Sequence, residues 1–342
     1  MNFMYILRRA AKMDWKKMAS TAKTIAKQTY RPFTAVFTDI VRCGVRYGAG
    51  YMDYQVFRLW ECNEAQRATY LTRTKNQEFC RQLNDPERSK AVENKVSFCR
   101  LYGRFLGREW LDASTASEEE KMRWFRHHPV FFAKDPDGIC GKEVQKADCT
   151  ALSAAEYPAF AARLISDGLT LWEEAIVQSP EMAALAPDSV NTVRVMTLID
   201  GKGEVHLLGA FLRMGVGAAV DNLDYGGCAA KVSLDTGKID FPAQDKTGAT
   251  FAFHPKSGTN IQGFQVPQWE AVMSMVRQAA QIEPTVRYLG WDAAITERGP
   301  LLIEANTIPS NHLCQLPAQS PKHEGILPFI QSILANGSET ED

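Results

Sequence analysis

The chain has 342 residues, 45% hydrophobic and 23% charged, with a formal net charge of −1. That length can bury a large core and exceeds a single small module. Near-neutral charge supplies no field for holding nucleic acid, and no run of 18 apolar residues is present to span a membrane.

Read in order, residues 1–50 carry ten Lys or Arg against two Asp. At helical spacing Phe3, Ile6, Leu7, Ala10 and Met13 share a face bordered by Arg8, Arg9, Lys12 and Lys16. Such a helix suits either an anionic membrane surface or packing on the protein itself. Its short, interrupted apolar run is not that of a signal peptide. Residues 1–90 read as helices packed through the aromatic side chains of 30–60, forming a cap or a partner surface. NDPERS (84–89) reads as a connection and residues 91–111 as a further helix. STASEEE (114–120) offers Ser114 or Ser117 as an N-cap.

Strand signals begin after about residue 128. VFFAK (130–134) is a strand, EYPAFAARLISDG (156–168) a helix ended by Gly168, and LTLWEEAIV (169–177) a strand. Residues 190–214 read as two strands joined at Asp200-Gly201, and LDTGK (234–238) as a second turn. PQWEAVMSMVRQAAQI (267–282) is an amphipathic helix with Pro267 near its first turn. VRYLGWDAAIT and PLLIEAN flank ERG, and the tail SETED (338–342) reads as disordered. Helices followed by mixed strands and helices give an α+β or α/β class. The eight cysteines (43, 62, 80, 99, 140, 149, 228, 314) include no CxxC pair, and no histidine pair completes a zinc site. They read as reduced thiols of a cytoplasmic protein.

The hairpin at 287–306 is the most informative segment. With Glu297, Arg298 and Gly299 as a three-residue loop, Thr296 pairs with Pro300 and Asp292 with Glu304, and Asn306 faces the same way. Trp291, Ala293, Ile295, Leu301, Ile303 and Ala305 then form an apolar opposite face. Two carboxylates and a carboxamide in adjacent positions repel unless a cation lies between them, and this oxygen-only set suits Mg²⁺. In FFAKDPDGICGKE (131–143), Lys134 ends a strand and Gly138, Gly141 and Lys142 follow in a loop able to cradle phosphate. It is neither a Walker A loop nor a kinase loop. His128 reads as a ring capping a backbone group, and the carboxylates of Glu173 and Glu174 point to opposite faces of their strand.

Together HPVFFAKDPDGICGKEV (128–144), LWEEAIVQSPEMAALAPDSVNTVRVMT (171–197), GAFLRMGVGAAVDNLDYGG (209–227), HPKSG (254–258) and GWDAAITERGPLLIEAN (290–306) resemble the ATP-grasp superfamily. In detail they resemble its sugar-transfer associated branch, a relative of glutamate-ligase-like enzymes. The resemblance implies two α+β lobes gripping ATP, spanning 91–185 and 186–332, after a helical region at 1–90 and before a tail at 333–342. It implies that Lys95 and Lys134 contact phosphates, with Gly138, Gly141 and Lys142 in the lid. Glu173, Glu174, Ile176 and Val177 would form the adenine hinge, with Gln178 or Glu181 near the ribose. Arg194 and Arg213 would neutralise the γ-phosphate and an acyl phosphate, and Asp292, Glu304 and Asn306 would hold Mg²⁺. Asn222, Gly226, Gly227 and His254 would face the substrate.

The implied activity is an ATP-dependent carboxylate–amine ligase with small-molecule substrates, sugar-linked or amino-acid in kind, in glycan or polysaccharide decoration. A phosphotransferase with the same metal site, and a non-catalytic nucleotide-binding scaffold docked through the basic helix at the inner membrane face, are the other readings.

Overall fold

The computed structural model describes residues 14–138, 144–217, 226–320 and 322–337. The expected basic helix at 3–13 and residues 338–342 of the expected tail lie outside the described residues, while residues 333–337 are helical. Among the described residues six α-helices come first: α1 (Trp15–Thr29), α2 (Phe33–Tyr47), α3 (Tyr51–Val56), α4 (Glu64–Thr69), α5 (Arg73–Leu83) and α6 (Pro86–Glu93). In α1 and α2 the buried positions, Met18, Ala22 and Ile25 against Val36, Ile40 and Cys43, recur at three and four residues, so each presents one stripe to a shared core. NDPERS is a helix start rather than a connection. Asp85 accepts hydrogen bonds from the amides of Glu87 and Arg88 at 2.9 and 2.8 Å, and Pro86 takes the first helical position. Nor is 91–111 one helix: Asn94 closes α6 and caps α7 (Lys95–Leu101), and a strand, β1 (Trp110–Asp112), follows.

The second layer is a four-stranded antiparallel sheet, ordered β1-β4-β2-β3, with β2 at Val130–Lys134, β3 at Val144–Asp148 and β4 at Leu171–Glu174. Helices α8 (Glu118–His127) and α9 (Tyr157–Ser166) cover its outer face, where Phe125, Leu164 and Trp172 pack with Phe131 and Ala133. Ser117, of the two serines offered, caps α8 in a reciprocal box with Glu120.

The third layer is a seven-stranded antiparallel sheet, ordered β11-β10-β5-β6-β7-β8-β9. Its strands are β5 (Thr192–Ile199), β6 (Val205–Met214), β7 (Cys228–Val232), β8 (Ala243–Asp245), β9 (Thr250–Phe251), β10 (Tyr288–Thr296) and β11 (Gly299–Asn306). Short α10 (Pro180–Leu185) precedes it. One face sets Val193, Val195, Leu212, Trp291 and Ala293 against α11 (Trp269–Ala280). The other sets Met196, Leu198, Phe211 and Tyr288 against α5, the Leu313–Leu316 segment and α12 (Leu327–Gly337). The class is therefore α+β, and α5 packs directly on the C-terminal sheet.

Three turns differ in detail from expectation. The β5–β6 connection runs over 200–204, with the Asp200 carboxylate accepting the Lys202 and Glu204 amides at 2.8 and 2.9 Å. The 233–238 turn closes through Ser233 N–H to Lys238 O at 2.9 Å, but β8 begins only at Ala243. Gln268, at φ +53°, precedes α11, so Pro267 lies outside its first turn. Seven of the cysteines are free and buried among the described residues, and Cys140 lies outside them. Among those residues no helix is long and apolar enough to cross a membrane.

Candidate active site

The β10–β11 hairpin carries the acids in a register reached by an unexpected route. Glu297 and Arg298 form a two-residue connection, Thr296 pairs with Gly299, and Gly299 sits at φ +130°, where a side chain would be strained. Continued without interruption, that turn would set Asp292 opposite Ile303. A bulge between Asp292 and Ala293 takes up one extra residue on β11, so Asp292 pairs with Glu304, Trp291 with Ala305 and Gly290 with Asn306. The expected pairing holds, while the loop is one residue shorter and the bulge restores the count. The opposite face is corrected accordingly: Leu302, not Leu301 or Ile303, joins Trp291, Ala293, Ile295 and Ala305 in the core, and Ile303 lines a cavity.

Arg194 on β5 is the cross-strand partner of Asp292 and also of Phe211 on β6. Arg213 lies two residues from Phe211 and so shares that face. Arg194 grips Asp292 through two nitrogens, Nη2 to Oδ2 at 2.6 Å and Nε to Oδ1, and Arg213 Nη1 reaches Oδ2 at 2.9 Å. These donors use three of the roughly four lone-pair sites of a carboxylate. Burial pushes the Asp292 carboxyl up, but Arg194 and Arg213 outweigh it and hold it low. Glu304 goes the other way, raised by burial and then by its neighbour Asp292. A small hard cation between them would remove that repulsion, so the Asp292, Glu304 and Asn306 oxygens fit Mg²⁺ in kind. Gly290 gives Arg194 its room, since a Cβ there would lie 3.0 Å from Pro309 Cβ and 3.4 Å from Arg194 Cδ.

Across the cavity, Val130, Phe132 and Lys134 alternate with the buried Phe131 and Ala133, as strand geometry requires. Glu173 pairs with Phe132 and is therefore a diagonal neighbour of Lys134, with which it forms an ion pair. Arg108, a residue with no sequence signal, is the second partner. Its Nε donates to Glu173 Oε1 at 3.1 Å, and its Nη1 donates to Leu302 O at 2.7 Å, joining the small sheet to β11. Burial pushes the Glu173 carboxyl up, but Arg108 and Lys134 outweigh it and hold it at about 2. Lys95, first in α7, donates from Nζ to Asp135 O at 3.0 Å and to Gly138 O, tying the root of the β2–β3 loop. Burial lowers the Lys95 ammonium, with Glu304 opposing, and Glu304 is in turn lowered by Lys134. Lys95, Lys134, Asp292 and Glu304 thus share one neighbourhood.

The space between the sheets is a cavity of about 1310 Å³, lined by Lys134, Glu173 to Gln178, Arg194, Arg213, Asp292, Glu304 and Asn306. Around the Asp292–Glu304 pair, four basic side chains of the lining (Arg108, Lys134, Arg194, Arg213) meet three carboxylates (Glu173, Asp292, Glu304), so cations gather at this end of the cavity. A polyphosphate is the natural complement.

Other expected residues have partners of their own or lie outside the cavity. The Gln178 amide donates to Ala186 O and Ser189 O at 3.0 and 2.9 Å and accepts from the Asn191 amide at 3.0 Å, so it shapes the 179–191 loop. Glu174 lines the cavity while accepting from the Glu109 amide at 3.0 Å, and Ile176 and the exposed Val177 line it too. Glu181 lies exposed on α10, away from that lining. His254 is buried outside the cavity. Its Nε2 donates to Gly215 O at 2.9 Å and its Nδ1 accepts the Ser257 amide at 3.2 Å, which is a loop-holding arrangement. Gly226 and Gly227 lie just before β7, also outside the lining. His128 meets the Glu109 carboxylate at 2.7 Å rather than a backbone group. Gly141, Lys142 and Asn222 lie outside the described residues.

A family model described as sugar-transfer associated ATP-grasp matches residues 158–333, a little over half of the chain. Among solved structures, the ATP-grasp ligase PsnB complexed with minimal precursor aligns at TM-score 0.40 and 16% identity, covering 79% of this chain and 70% of its own. D-alanyl-alanine synthetase A from Vibrio cholerae aligns at TM-score 0.44 and 12% identity, covering 74% and 67%. D-alanine–D-alanine ligase from Bacillus anthracis aligns at 0.40 and 12%, covering 76% and 74%. No curated protein matches the sequence.

Proposed function

The chain belongs to the sugar-transfer associated ATP-grasp family, and from that premise we propose that it is an ATP-dependent ligase that activates a carboxylate as an acyl phosphate and passes it to an amine or similar nucleophile. One observation carries this reading: Lys134, with Lys95 beside it, faces Asp292, Glu304, Arg194 and Arg213 in the neighbourhood of a single cavity.

A carboxylate is a poor electrophile because its leaving group would be an oxide. Its oxygen attacks the γ-phosphorus of ATP, the bond to the β-phosphate oxygen breaks, and ADP departs. The acyl phosphate left behind is attacked at carbon by the amine, which loses a proton as inorganic phosphate leaves. Lys134 and Lys95 hold the transferred charge as point cations, with Lys134 aimed by its ion pair to Glu173. Arg194 and Arg213, anchored on Asp292, place positive charge beside the oxygens that gain charge. Glu304, Asn306 and the remaining lone pair of Asp292 would hold Mg²⁺, which when bound neutralises phosphate oxygens. Ala175, Ile176 and Val177 supply a backbone edge for the base. Sugar-linked or amino-acid substrates, and a place in glycan or polysaccharide decoration, belong to this reading.

Incubation with ATP, Mg²⁺, a panel of carboxylic acids and hydroxylamine tests it. Hydroxamate formed with ATP and at least one acid is the expected result. Phosphoryl transfer with no hydroxamate from any acid would convert the reading to a phosphotransferase, and nucleotide binding without turnover to a scaffold.

A further inference from the structure

The transfer step makes one demand that the groups described so far do not meet. The attacking amine must give up a proton, and Lys134, Arg194 and Arg213 are cations engaged with carboxylates. His312 is the one histidine among the described residues that line the cavity. Histidine is the side chain whose ordinary pKa suits proton exchange near neutral pH.

Resting on the ligase reading, we propose that His312 is the general base of the transfer step and that Asp53 positions it. The ring's Nε2 lies 3.3 Å from Asp53 Oδ1. A carboxylate only accepts, so the proton sits on Nε2 and the lone pair on Nδ1. Nδ1 has no partner among the described residues, and the side chain keeps 26% of its surface exposed. Asp53, in the first turn of α3, is only 2% exposed and accepts the amides of Gly50 at 3.0 Å and Arg73 at 3.2 Å. Those two bonds favour its charged form and fix its direction. The Phe57 ring meets the imidazole edge-on at 5.5 Å. A buried acid thus stands behind an imidazole whose free nitrogen is open, the arrangement that fixes the tautomer of a base. A separation of 3.3 Å is long, as such bonds often are before substrate binds.

The segment carrying His312 is held firmly beside the cations. Asn76 Nδ2 donates to Pro309 O and Asn311 Nδ2 to Leu71 O, each at 2.9 Å, and Gln315 Nε2 donates to Asn311 O at 2.7 Å. Pro309 packs where Gly290 meets Arg194: a Cβ on Gly290 would lie 3.0 Å from Pro309 Cβ and 3.4 Å from Arg194 Cδ. His312 follows Pro309 by three residues, at most about 11 Å of chain, which tethers the base near the arginine. Met52, Val56 and Leu313, sequence neighbours of Asp53, Phe57 and His312, also line the cavity. Apolar surroundings favour the neutral, attacking form of an amine. As the amine nitrogen bonds to the acyl carbon, the bond from that carbon to the phosphate oxygen breaks and inorganic phosphate leaves. Nδ1 takes the N–H proton, Asp53 balances the imidazolium, and the exposed ring returns the proton to solvent.

The test uses the full chain with ATP, Mg²⁺ and the acid that gives the most hydroxamate. Hydroxylamine is weakly basic and reacts without a base, whereas ethylamine is protonated at neutral pH. The ratio of ethylamide to hydroxamate is expected to fall about a hundredfold in His312→Gln, and added imidazole should raise it in His312→Ala. If ethylamine is not accepted, acid-dependent ATP hydrolysis, in which water must lose the proton, takes the place of the amide in that ratio. Asp53→Asn should lower the ratio at least about tenfold and shift the His312 proton from Nε2 towards Nδ1, read by two-bond ¹H–¹⁵N NMR. Should His312→Gln fail to fold by circular dichroism, His312→Ala and Asp53→Asn decide. A ratio unchanged in the folded variants, or an unmodified chain whose His312 carries its proton on Nδ1, overturns the base and leaves the ligase reading standing. No hydroxamate from the unmodified chain with any acid overturns the ligase reading instead.

Discussion

Glu173 is the most demanding test of the electrostatics. Its carboxylate is almost wholly buried, with Arg108 and Lys134 as counter-ions, and its pKa is lowered from 4.5 to about 2. At about 1.36 kcal/mol per unit that shift corresponds to roughly 3 kcal/mol of folding free energy. Glu173→Gln keeps the shape and removes the charge, leaving Arg108 and Lys134 to repel each other across a buried amide. A loss of about 3 kcal/mol is expected at pH 7, in the range found for breaking a buried pair. For a chain of this length that is a fall in Tm of roughly 4 °C. The sign with pH follows from the depressed pKa. The stabilisation is complete above pH 4.5 and is lost as pH falls through about 2, because the unfolded carboxylate takes up its proton first. Denaturant unfolding of both proteins at pH 7, 4.5 and 3 should show a gap that is full at pH 7 and narrows on acidification. A gap under about 0.5 kcal/mol at pH 7, the ordinary scatter of a neutral surface change, or one equally wide at pH 3, would refute the reasoning.

Three further outcomes are expected. Asp292→Asn and Glu304→Gln should each lower Mg²⁺-dependent ATP turnover by orders of magnitude while circular dichroism stays native; wild-type turnover in both removes the metal assignment. His254→Ala should cost about 1–3 kcal/mol through the lost bonds to Gly215 and Ser257, with kcat/KM changed only a few-fold, whereas a hundredfold loss of activity in a stable variant would restore a substrate role. Burial lowers the His254 pKa, so its contribution is complete above pH 6.5 and shrinks as pH falls below it, which pH-dependent unfolding of the two proteins will read. Gly290→Ala puts a methyl 3.4 Å from Arg194 Cδ and 3.0 Å from Pro309, and should reduce turnover more than nucleotide affinity if Arg194 serves the transferred charge.

How much of this could be read from residues depends on whether the information was local. Alternation placed β2 and its Lys134, and the Asp292–Glu304 pairing followed from matching two apolar faces. The bulge that makes this pairing possible was not legible, because a three-residue loop and a two-residue loop plus bulge give the same register beyond Ala293. Ile303 and Leu302 exchange faces between those two solutions, and both are apolar, so composition could not choose. Arg108 was invisible for another reason. Its partners are Glu173, 65 residues on, and the Leu302 carbonyl, 194 residues on, and no periodic pattern records such a contact. Gln178 and His254 were legible as polar residues in matching loops, but an amide that shapes a loop and one that binds a ribose look the same in one dimension.

The arrangement around Asp292 follows from a single constraint. Two arginines on adjacent strands of a buried sheet, each of them within a tenth of full burial, cannot remain charged there without an anion, because desolvation of an unpaired guanidinium costs several kcal/mol. Asp292 supplies an anion to both, and its own carboxylate is kept ionised in return. On the ligase reading proposed above, phosphate oxygens would compete for those guanidinium groups, and Asp292 would help to hold Mg²⁺. The acid would then serve both the cations and, on that reading, the metal. Replacing it by asparagine should therefore harm both states, lowering Tm without nucleotide as well as abolishing turnover with it. An Asp292→Asn protein that loses turnover but keeps its full Tm would show that Arg194 and Arg213 find their compensation elsewhere.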